Sequence, residues 1–281
     1  MSALADLPPD PGLGPHPAVR VLLLVATGVV GGVLSGLFGV GGGIVMVPLL
    51  IMLARLDQRR AAATSLTAIV PAAIAGSISY ALAGQIDILV AVLVAAGGIG
   101  GSLLGARLLR SLPMGWLRWL FIVLLLVVAV RLFFEVPARA GVIELTPLSM
   151  PGLVILGVVM GVASGLFGIG GGIVVVPVLV ALFGAGDLLA KGTSLLAIIP
   201  GAVTGTIANA RVGLVDVVDG AIVGVAAAAA SFLGVALASA LSPQLSTLLF
   251  AALILAVTAQ LIVRAIRDQP RTLPSAARTA R

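Results

Sequence analysis

Cysteine is absent from this chain of 281 residues, histidine occurs once, and charged residues make up only 9% of the sequence. Without cysteine there are no disulfides and no thiolate metal sites. The single histidine, His16, lies in a proline-rich N-terminal stretch, which argues against histidine-based catalysis and against a metal cluster. Clustered carboxylates are also missing from the apolar segments. We therefore predict that the protein is not an enzyme and needs no metal or other cofactor.

The scarcity of charge is matched by a hydrophobic content of 60%. A soluble domain carries about a quarter charged residues, so a chain of this composition needs lipid as its solvent. The apolar runs are long and show no period-two alternation, which favours helices over a β-barrel. The net charge of +6 sits in short loops and a basic tail, so it indicates membrane orientation and no nucleic-acid partner. We predict an all-α, polytopic transmembrane helical bundle.

A long internal repeat organises the sequence. Residues 35–45 (SGLFGVGGGIV) return as residues 164–174 (SGLFGIGGGIV), and the same offset aligns Pro71 with Pro200 without a gap. The duplication divides the chain into a polar N-terminal tail, a first transmembrane repeat, a linker, a second transmembrane repeat and a basic C-terminal tail. Their predicted bounds are 1–19, 20–135, 136–149, 150–266 and 267–281.

The first apolar segment of each repeat is too long for one membrane crossing. Segments 20–54 and 150–184 each contain about 35 residues, which as a helix would measure about 52 Å, against about 30 Å of hydrocarbon. Each also carries three successive glycines in its middle, and glycine is a poor helix former. We therefore predict that each first segment is broken at its glycines.

The distribution of basic residues distinguishes two topologies. If each first segment crossed the membrane once, the basic residues would be shared almost equally between the two sides. If each folds back as a hairpin, Arg131, Arg139 and Lys191 lie on one side and the other 13 of the 16 basic residues lie on the opposite side. The positive-inside rule favours the hairpins. This predicts two inverted-topology repeats in the cell (inner) membrane with both termini cytoplasmic.

Inverted repeats with broken helices are a recurring architecture of transporters. A half-helix that starts at Gly43 or Gly172 would direct its N–H groups and the positive end of its dipole at a bound anion. We therefore expect alternating access around a central site made by the two glycine-rich breaks. The alternative for these glycines is close packing of helices, which is common in membranes.

The glycine motifs also resemble a known family. GLFGVGGG at 36–43 and GLFGIGGG at 165–172 are each followed by Val-Pro, at 47–48 and 176–177, and each half has a Thr-Ser-Leu opening its second segment. This pattern is similar to the sulfite exporter TauE/SafE family. The resemblance implies a secondary transporter of a small sulfur-containing anion: sulfite, sulfoacetate, thiosulfate or a related organosulfonate. An exporter of another small metabolite with the same inverted-repeat architecture is the alternative, and the coupling ion (H⁺ or Na⁺) and the oligomeric state stay open.

Several polar side chains are candidates to complete the site. The hydroxyls of Thr64, Ser65 and their equivalents suit an anion's oxygens, although they could instead cap helix starts. Arg211 could neutralise the anion or anchor the helix end at the interface, and Asn209, the equivalent of Tyr80, could line the cavity or bond to another helix. The predicted substrate-binding residues are Gly39, Gly41, Gly42, Gly43, Thr64, Ser65, Gly168, Gly170, Gly171, Gly172, Thr193, Ser194, Asn209 and Arg211.

Two carboxylates occupy equivalent positions, Asp87 and Asp216, and each precedes an apolar segment. They could carry protons in a coupled mechanism. A role in the first turn of a helix, where a carboxylate favours the dipole, is the preferred interpretation.

Overall fold

The computed structural model describes residues 17–133, 141, 143, 145–146 and 149–267. The predicted N-terminal tail up to residue 16, most of the linker and the C-terminal tail from residue 268 lie outside this part of the chain. The described residues form ten α-helices, five from each half, and the all-α prediction is confirmed for them. The helices are α1 Pro17–Phe38, α2 Gly43–Leu53, α3 Gln58–Leu82, α4 Ile88–Ser111, α5 Met114–Phe133, α6 Ser149–Phe167, α7 Gly172–Phe183, α8 Asp187–Ala210, α9 Val217–Ala240 and α10 Pro243–Arg267.

Seven of these helices are long and apolar enough to cross a membrane: α1, α3, α4, α6, α8, α9 and α10. Helices α2 and α7 have only 11 and 12 residues, so they extend about 16–18 Å, roughly half the hydrocarbon thickness. The protein is therefore a multi-pass membrane protein in which two short helices follow the two glycine-rich breaks.

Aspartates cap the starts of helices α3, α4 and α9. The Asp57 carboxylate accepts hydrogen bonds from the N–H groups of Arg59 and Arg60 at the start of α3. Asp87 accepts from Val90 N–H at the start of α4, and Asp216 does the same for α9. The interpretation of Asp87 and Asp216 as first-turn residues is thus confirmed.

Glycines let helices of opposite halves touch through their backbones. A Cβ atom on Gly32 of α1 would lie 2.2 Å from the carbonyl oxygen of Ala227 in α9, closer than van der Waals contact allows. Gly28, Gly32 and Gly36 meet α9 at successively higher residue numbers, so α1 and α9 run in the same direction. Helices α4 and α6 pack in the same way, through Gly97, Gly101 and Gly105 against Val154, Val158 and Val162.

The third helix of each half, α3 and α8, lies at the centre of the bundle. They pack against each other, α3 also packs against α9, and α8 also packs against α4. A hydrogen bond from the Ser102 hydroxyl to the Gly201 carbonyl oxygen (2.6 Å) joins α4 to α8. Because each half contacts mainly the other half, the glycine-rich breaks that begin α2 and α7 are brought together in the interior.

Candidate functional site

The chain between α1 and α2, and between α6 and α7, takes a backbone form that favours glycine. Gly39, Gly41 and Gly42 have φ angles of +71°, +83° and +77°. The equivalent glycines 168, 170 and 171 have +70°, +82° and +83°. Residues with a side chain pay about 1–2 kcal/mol to enter this left-handed region. The predicted breaks are therefore confirmed at residues 39–42 and 168–171.

The two breaks contact each other directly. A Cβ atom on Gly43 would lie 2.3 Å from the carbonyl oxygen of Gly168, and one on Gly172 would lie 2.5 Å from the carbonyl oxygen of Gly39. Between them, a Cβ on Gly41 would lie 3.7 Å from the Cα of Gly170. Residues 39–43 and 168–172 are all buried. The glycines thus permit two irregular segments from different halves to meet in the interior.

Consecutive backbone N–H groups at these breaks make no hydrogen bond to the described part of the chain. Gly39 N–H still donates to the Ser35 carbonyl oxygen (2.8 Å), and Met46 N–H donates to the Gly42 carbonyl oxygen (3.1 Å). The N–H groups of residues 40–44 and 169–173, between these bonds, have no such acceptor. Buried N–H groups are almost always paired, so these donors call for water or a ligand. Successive backbone N–H groups in such turns can form a concave anion-binding nest.

Two isoleucines close the space between the breaks. The Ile69 side chain of α3 lies 3.1 Å from the Cβ position of Gly41 and 3.4 Å from that of Gly170. Its equivalent in α8, Ile198, lies 3.0 Å from the Cβ position of Gly172. Both isoleucines are fully buried. Side chains of α3 and α8 therefore cover the backbone of the two breaks.

Comparison with known proteins identifies the family of this chain. The sequence model of the family "Sulfite exporter TauE/SafE" matches the chain twice, over residues 4–132 and 153–280. This chain belongs to the sulfite exporter TauE/SafE family. The two matches also cover the two halves that the internal repeat defines.

The curated relatives of this chain carry the name probable membrane transporter protein. The probable membrane transporter protein YdhB of Bacillus subtilis is 31% identical over 191 residues, which cover 66% of this chain and 78% of the relative. The B. subtilis protein YunE is 32% identical over 111 residues, 40% of this chain and 41% of that protein. A probable membrane transporter protein of Haemophilus influenzae is 33% identical over 174 residues, 57% of this chain and 63% of that protein. The family and these relatives are membrane transporters, and this multi-pass chain is one as well.

The predicted hydroxyl residues divide into two roles in the transporter. The Ser65 hydroxyl donates to the carbonyl oxygen of Gly168 (2.8 Å), so it touches the second break. Its equivalent, Ser194, is buried, and its hydroxyl has no partner among the residues described. Thr64 and Thr193 instead accept hydrogen bonds from the N–H groups that start α9 and α4, those of Asp216 (3.1 Å) and Asp87 (2.9 Å).

The alternative in which Thr64, Ser65, Thr193 and Ser194 cap their own helices is wrong. Helix α3 begins at Gln58 and helix α8 at Asp187, so these hydroxyls lie in the second turn rather than at the N-terminus. Helix α3 extends three residues before the predicted apolar segment 61–83, and α8 extends four residues before the predicted segment 191–210.

The remaining predicted residues lie at the other end of α8. Asn209 is fully buried, and neither atom of its side-chain amide has a partner in the described ranges. The Tyr80 hydroxyl, at the equivalent position of α3, donates to the Gly36 carbonyl oxygen (2.8 Å), which is the expected interhelical bond. Arg211 is exposed at the C-cap of α8, in the turn to α9, and has no contact with either break.

A buried ion pair beside the first break was missed from the sequence. The Lys191 ammonium lies 2.8 Å from Asp187 Oδ1 and donates to the Ser246 hydroxyl of α10 (2.7 Å). The Cβ position of Gly39 lies 2.6 Å from the Cα of Lys191, so this turn of α8 rests on the break. The sequence places Lys191 at the first position of an apolar segment, whereas α8 begins four residues earlier and Lys191 lies in its second turn. The acid and base four residues apart were the available signal, since such pairs share one helix face.

Proposed function

We propose that the protein is a secondary transporter of a small sulfur-containing anion, such as sulfite, sulfoacetate, thiosulfate or a related organosulfonate. The anion binds between the two glycine-rich breaks, and alternating access exposes this site to either side of the membrane. The observation that carries the proposal is the run of buried N–H groups at each break, residues 40–44 and 169–173, which have no acceptor in the described chain.

The chemistry of the breaks suits a sulfonate or sulfite group. Its oxygens are acceptors only, and the breaks offer N–H donors and the positive ends of the α2 and α7 dipoles. The Ser65 hydroxyl touches the second break, and the unpaired Ser194 hydroxyl occupies the equivalent position. Neutral donors bind an anion without a fixed counter-charge, and transport requires binding that is weak enough for release.

Helix directions support the proposed inverted repeats. The contacts of Gly220 with Thr67 and of Gly224 with Pro71 make α9 parallel to α3, as α1 is to α9. The contacts of Gly201 with Gly98 and of Gly205 with Ser102 make α8 parallel to α4, and the α4–α6 glycine contacts make α6 parallel to α4 as well. Because α3 and α4 reverse direction at the short turn 83–87, α1 opposes its equivalent α6.

The proposed orientation has both termini in the cytoplasm and the protein in the inner membrane, with repeat bounds at 20–135 and 150–266. Lys191 is buried and paired with Asp187, so it no longer counts among the basic residues that the positive-inside rule compares. Arg131 and Arg139 then remain as the basic residues predicted on the linker side, so the asymmetry that favours this orientation becomes larger.

Counterflow in proteoliposomes tests the proposed function. Vesicles loaded with unlabelled sulfite, thiosulfate or sulfoacetate receive the labelled anion outside, and dimethyl sulfone serves as a neutral compound of similar shape. We expect rapid exchange of at least one of the three anions and none of the sulfone. Absence of exchange for all three anions contradicts the proposal, and exchange of the sulfone at a similar rate indicates an exporter of other metabolites.

A further inference from the structure

The buried Asp187–Lys191 ion pair has no role in the anion binding proposed above. Both side chains are about 95% buried, at 5% and 4% exposure, and Ser246 provides a further hydrogen bond to the ammonium. Burying two charges is expensive, and replacing such a pair by well-packed neutral residues is often neutral or stabilising. Ionisable residues inside membrane proteins are accordingly found mostly at functional sites.

The other half of the molecule shows that the fold does not require this pair. At the positions equivalent to Asp187, Lys191 and Ser246 the first half carries only neutral residues, yet α3 and α5 occupy the places that α8 and α10 occupy in the second half. The neutral equivalents are Gln58, Ala62 and Leu117. The charges are therefore an addition to one side of a duplicated structure.

The pair also lies beside the first break, because the Lys191 Cα lies 2.6 Å from the Cβ position of Gly39, the residue that precedes the first N–H run. We propose that Asp187 and Lys191 couple the anion to a proton, an inference that rests on the function proposed above. When the anion binds, the Lys191 ammonium turns from Asp187 to the anion. The buried Asp187 carboxylate then has no counter-charge and takes up one proton. On release of the anion Asp187 loses this proton and pairs with Lys191 again, so one proton moves with each anion.

Few other ionisable groups face the pair. Asp87, at the start of α4, is the nearest other carboxylate: its N–H bonds to Thr193, and its side chain caps α4. Tyr80 packs on Gly192, and its hydroxyl bonds to Gly36. Helices α6 and α7 carry no charged residue. The other charged residues on α1, α3, α4, α9 and α10 lie at the opposite ends of these helices: Arg20, Arg59, Arg60, Arg107, Arg110, Asp216, Asp219, Arg264 and Arg267. Arg131, near the C-terminal end of α5, is on the same side of the membrane as the pair in the proposed topology. Glu135, Arg139 and Glu144 of the linker lie outside the described chain.

The test replaces both charges by the residues of the first half, as Asp187→Gln with Lys191→Ala. Thiosulfate and sulfoacetate are the probes, because their sulfur groups stay ionised near neutral pH. Wild type and variant are compared in counterflow and in uptake driven by a pH gradient. With the membrane potential clamped at zero, because one proton does not neutralise these dianions, a gradient of about one pH unit drives at most about tenfold accumulation through one-to-one coupling. Asp87→Asn is the matched control, since asparagine caps a helix as well as aspartate does.

The expected result is about tenfold accumulation by wild type and by Asp87→Asn, and none by the double variant. Exchange by the double variant should persist with a KM raised about tenfold, the effect of one lost charge-assisted hydrogen bond. Accumulation by a folded double variant, or loss of all exchange in it, overturns the coupling role. Loss of accumulation in Asp87→Asn alone assigns the proton to Asp87 and also overturns it. If wild-type protein exchanges neither anion, the proposed function itself fails.

Discussion

Adding one methyl group to each break gives a direct test of the anion site. The variants are Gly41→Ala and Gly170→Ala, combined in one protein. A Cβ atom at Gly41 would lie 3.1 Å from Ile69 Cγ2, and one at Gly170 would lie 3.1 Å from the Val40 carbonyl oxygen. Both contacts are tight but allow a small shift. The neighbouring Gly42 is unsuitable, because its Cβ would lie only 2.2 Å from a carbonyl oxygen of α1.

The expected magnitudes separate stability from binding. Each alanine enters a left-handed backbone region at a cost of about 1–2 kcal/mol, so the double variant loses about 2–4 kcal/mol. A protein with about 5–15 kcal/mol of stability still folds. Each methyl group is added within one of the two N–H runs, residues 40–44 and 169–173, where it would keep a bound anion from neighbouring donors. Losing one hydrogen bond to a charged ligand costs about 1.5–3 kcal/mol. We therefore expect anion exchange to fall at least about tenfold.

A second pair of glycines provides the matched control. Gly84 and Gly213, at the turns after α3 and α8, have φ angles of +68° and +71°, and nothing lies within 4 Å of their Cβ positions. Gly84→Ala with Gly213→Ala therefore introduces the same backbone strain away from the breaks. Thermal unfolding in detergent should be similar for the two double variants, whereas counterflow of thiosulfate and sulfoacetate should fall only in the first. Normal exchange by the Gly41/Gly170 variant would refute the site.

Three further predictions concern packing and the buried polar groups, and thermal unfolding in detergent measures each. Gly101→Ala should destabilise the protein by about 1–3 kcal/mol, because its Cβ would lie 2.2 Å from a carbonyl oxygen of α6. Gly100→Ala meets nothing within 4 Å and should stabilise the protein by up to about 1 kcal/mol. The reverse order of stability would contradict the α4–α6 packing. Lys191→Ala alone leaves the Asp187 carboxylate buried without its partner and should lose about 3–5 kcal/mol, and adding Asp187→Gln should recover most of it. Equal stability of these two variants would show that the pair is not desolvated. Tyr80→Phe removes the buried hydrogen bond from the Tyr80 hydroxyl to the Gly36 carbonyl oxygen and should lower the free energy of unfolding by about 0.5–1.5 kcal/mol. An unchanged stability would contradict this bond.

The breaks could be predicted from the sequence because two independent constraints coincide there. A segment of about 35 residues exceeds the membrane thickness, and three glycines interrupt its helix. The 129-residue repeat (164 − 35) then placed both breaks together. What the sequence could not supply is the contact between them, since it depends on how α1 packs on α9 and α6 on α4 across the two halves.

The misplaced helix starts explain why the ion pair was missed. Apolar content places the second segment of the second half from residue 191, so Lys191 looks like a residue at a membrane boundary. The helix actually begins at Asp187, and the first turn buries its carboxylate against the ammonium four residues later. Likewise Thr64 looked like a cap because Asp57, the true cap of α3, precedes two arginines that an apolar window excludes. Tertiary burial, which hydropathy does not report, decides the case of Lys191, whereas a local cap by an exposed aspartate decides that of Thr64.

In the proposed inverted architecture, the differences between the halves matter as much as their likeness. Two identical halves would give the inward-facing and outward-facing states equal free energies, because exchanging the halves converts one state into the other. The breaks keep their symmetry, with φ angles that agree within a few degrees. Their surroundings do not: Lys191 stands where the first half has Ala62, and the unpaired amide of Asn209 stands where Tyr80 bonds to Gly36. In the proposed mechanism the glycines therefore provide a site common to both states, and the different side chains around them are expected to give the two states different energies.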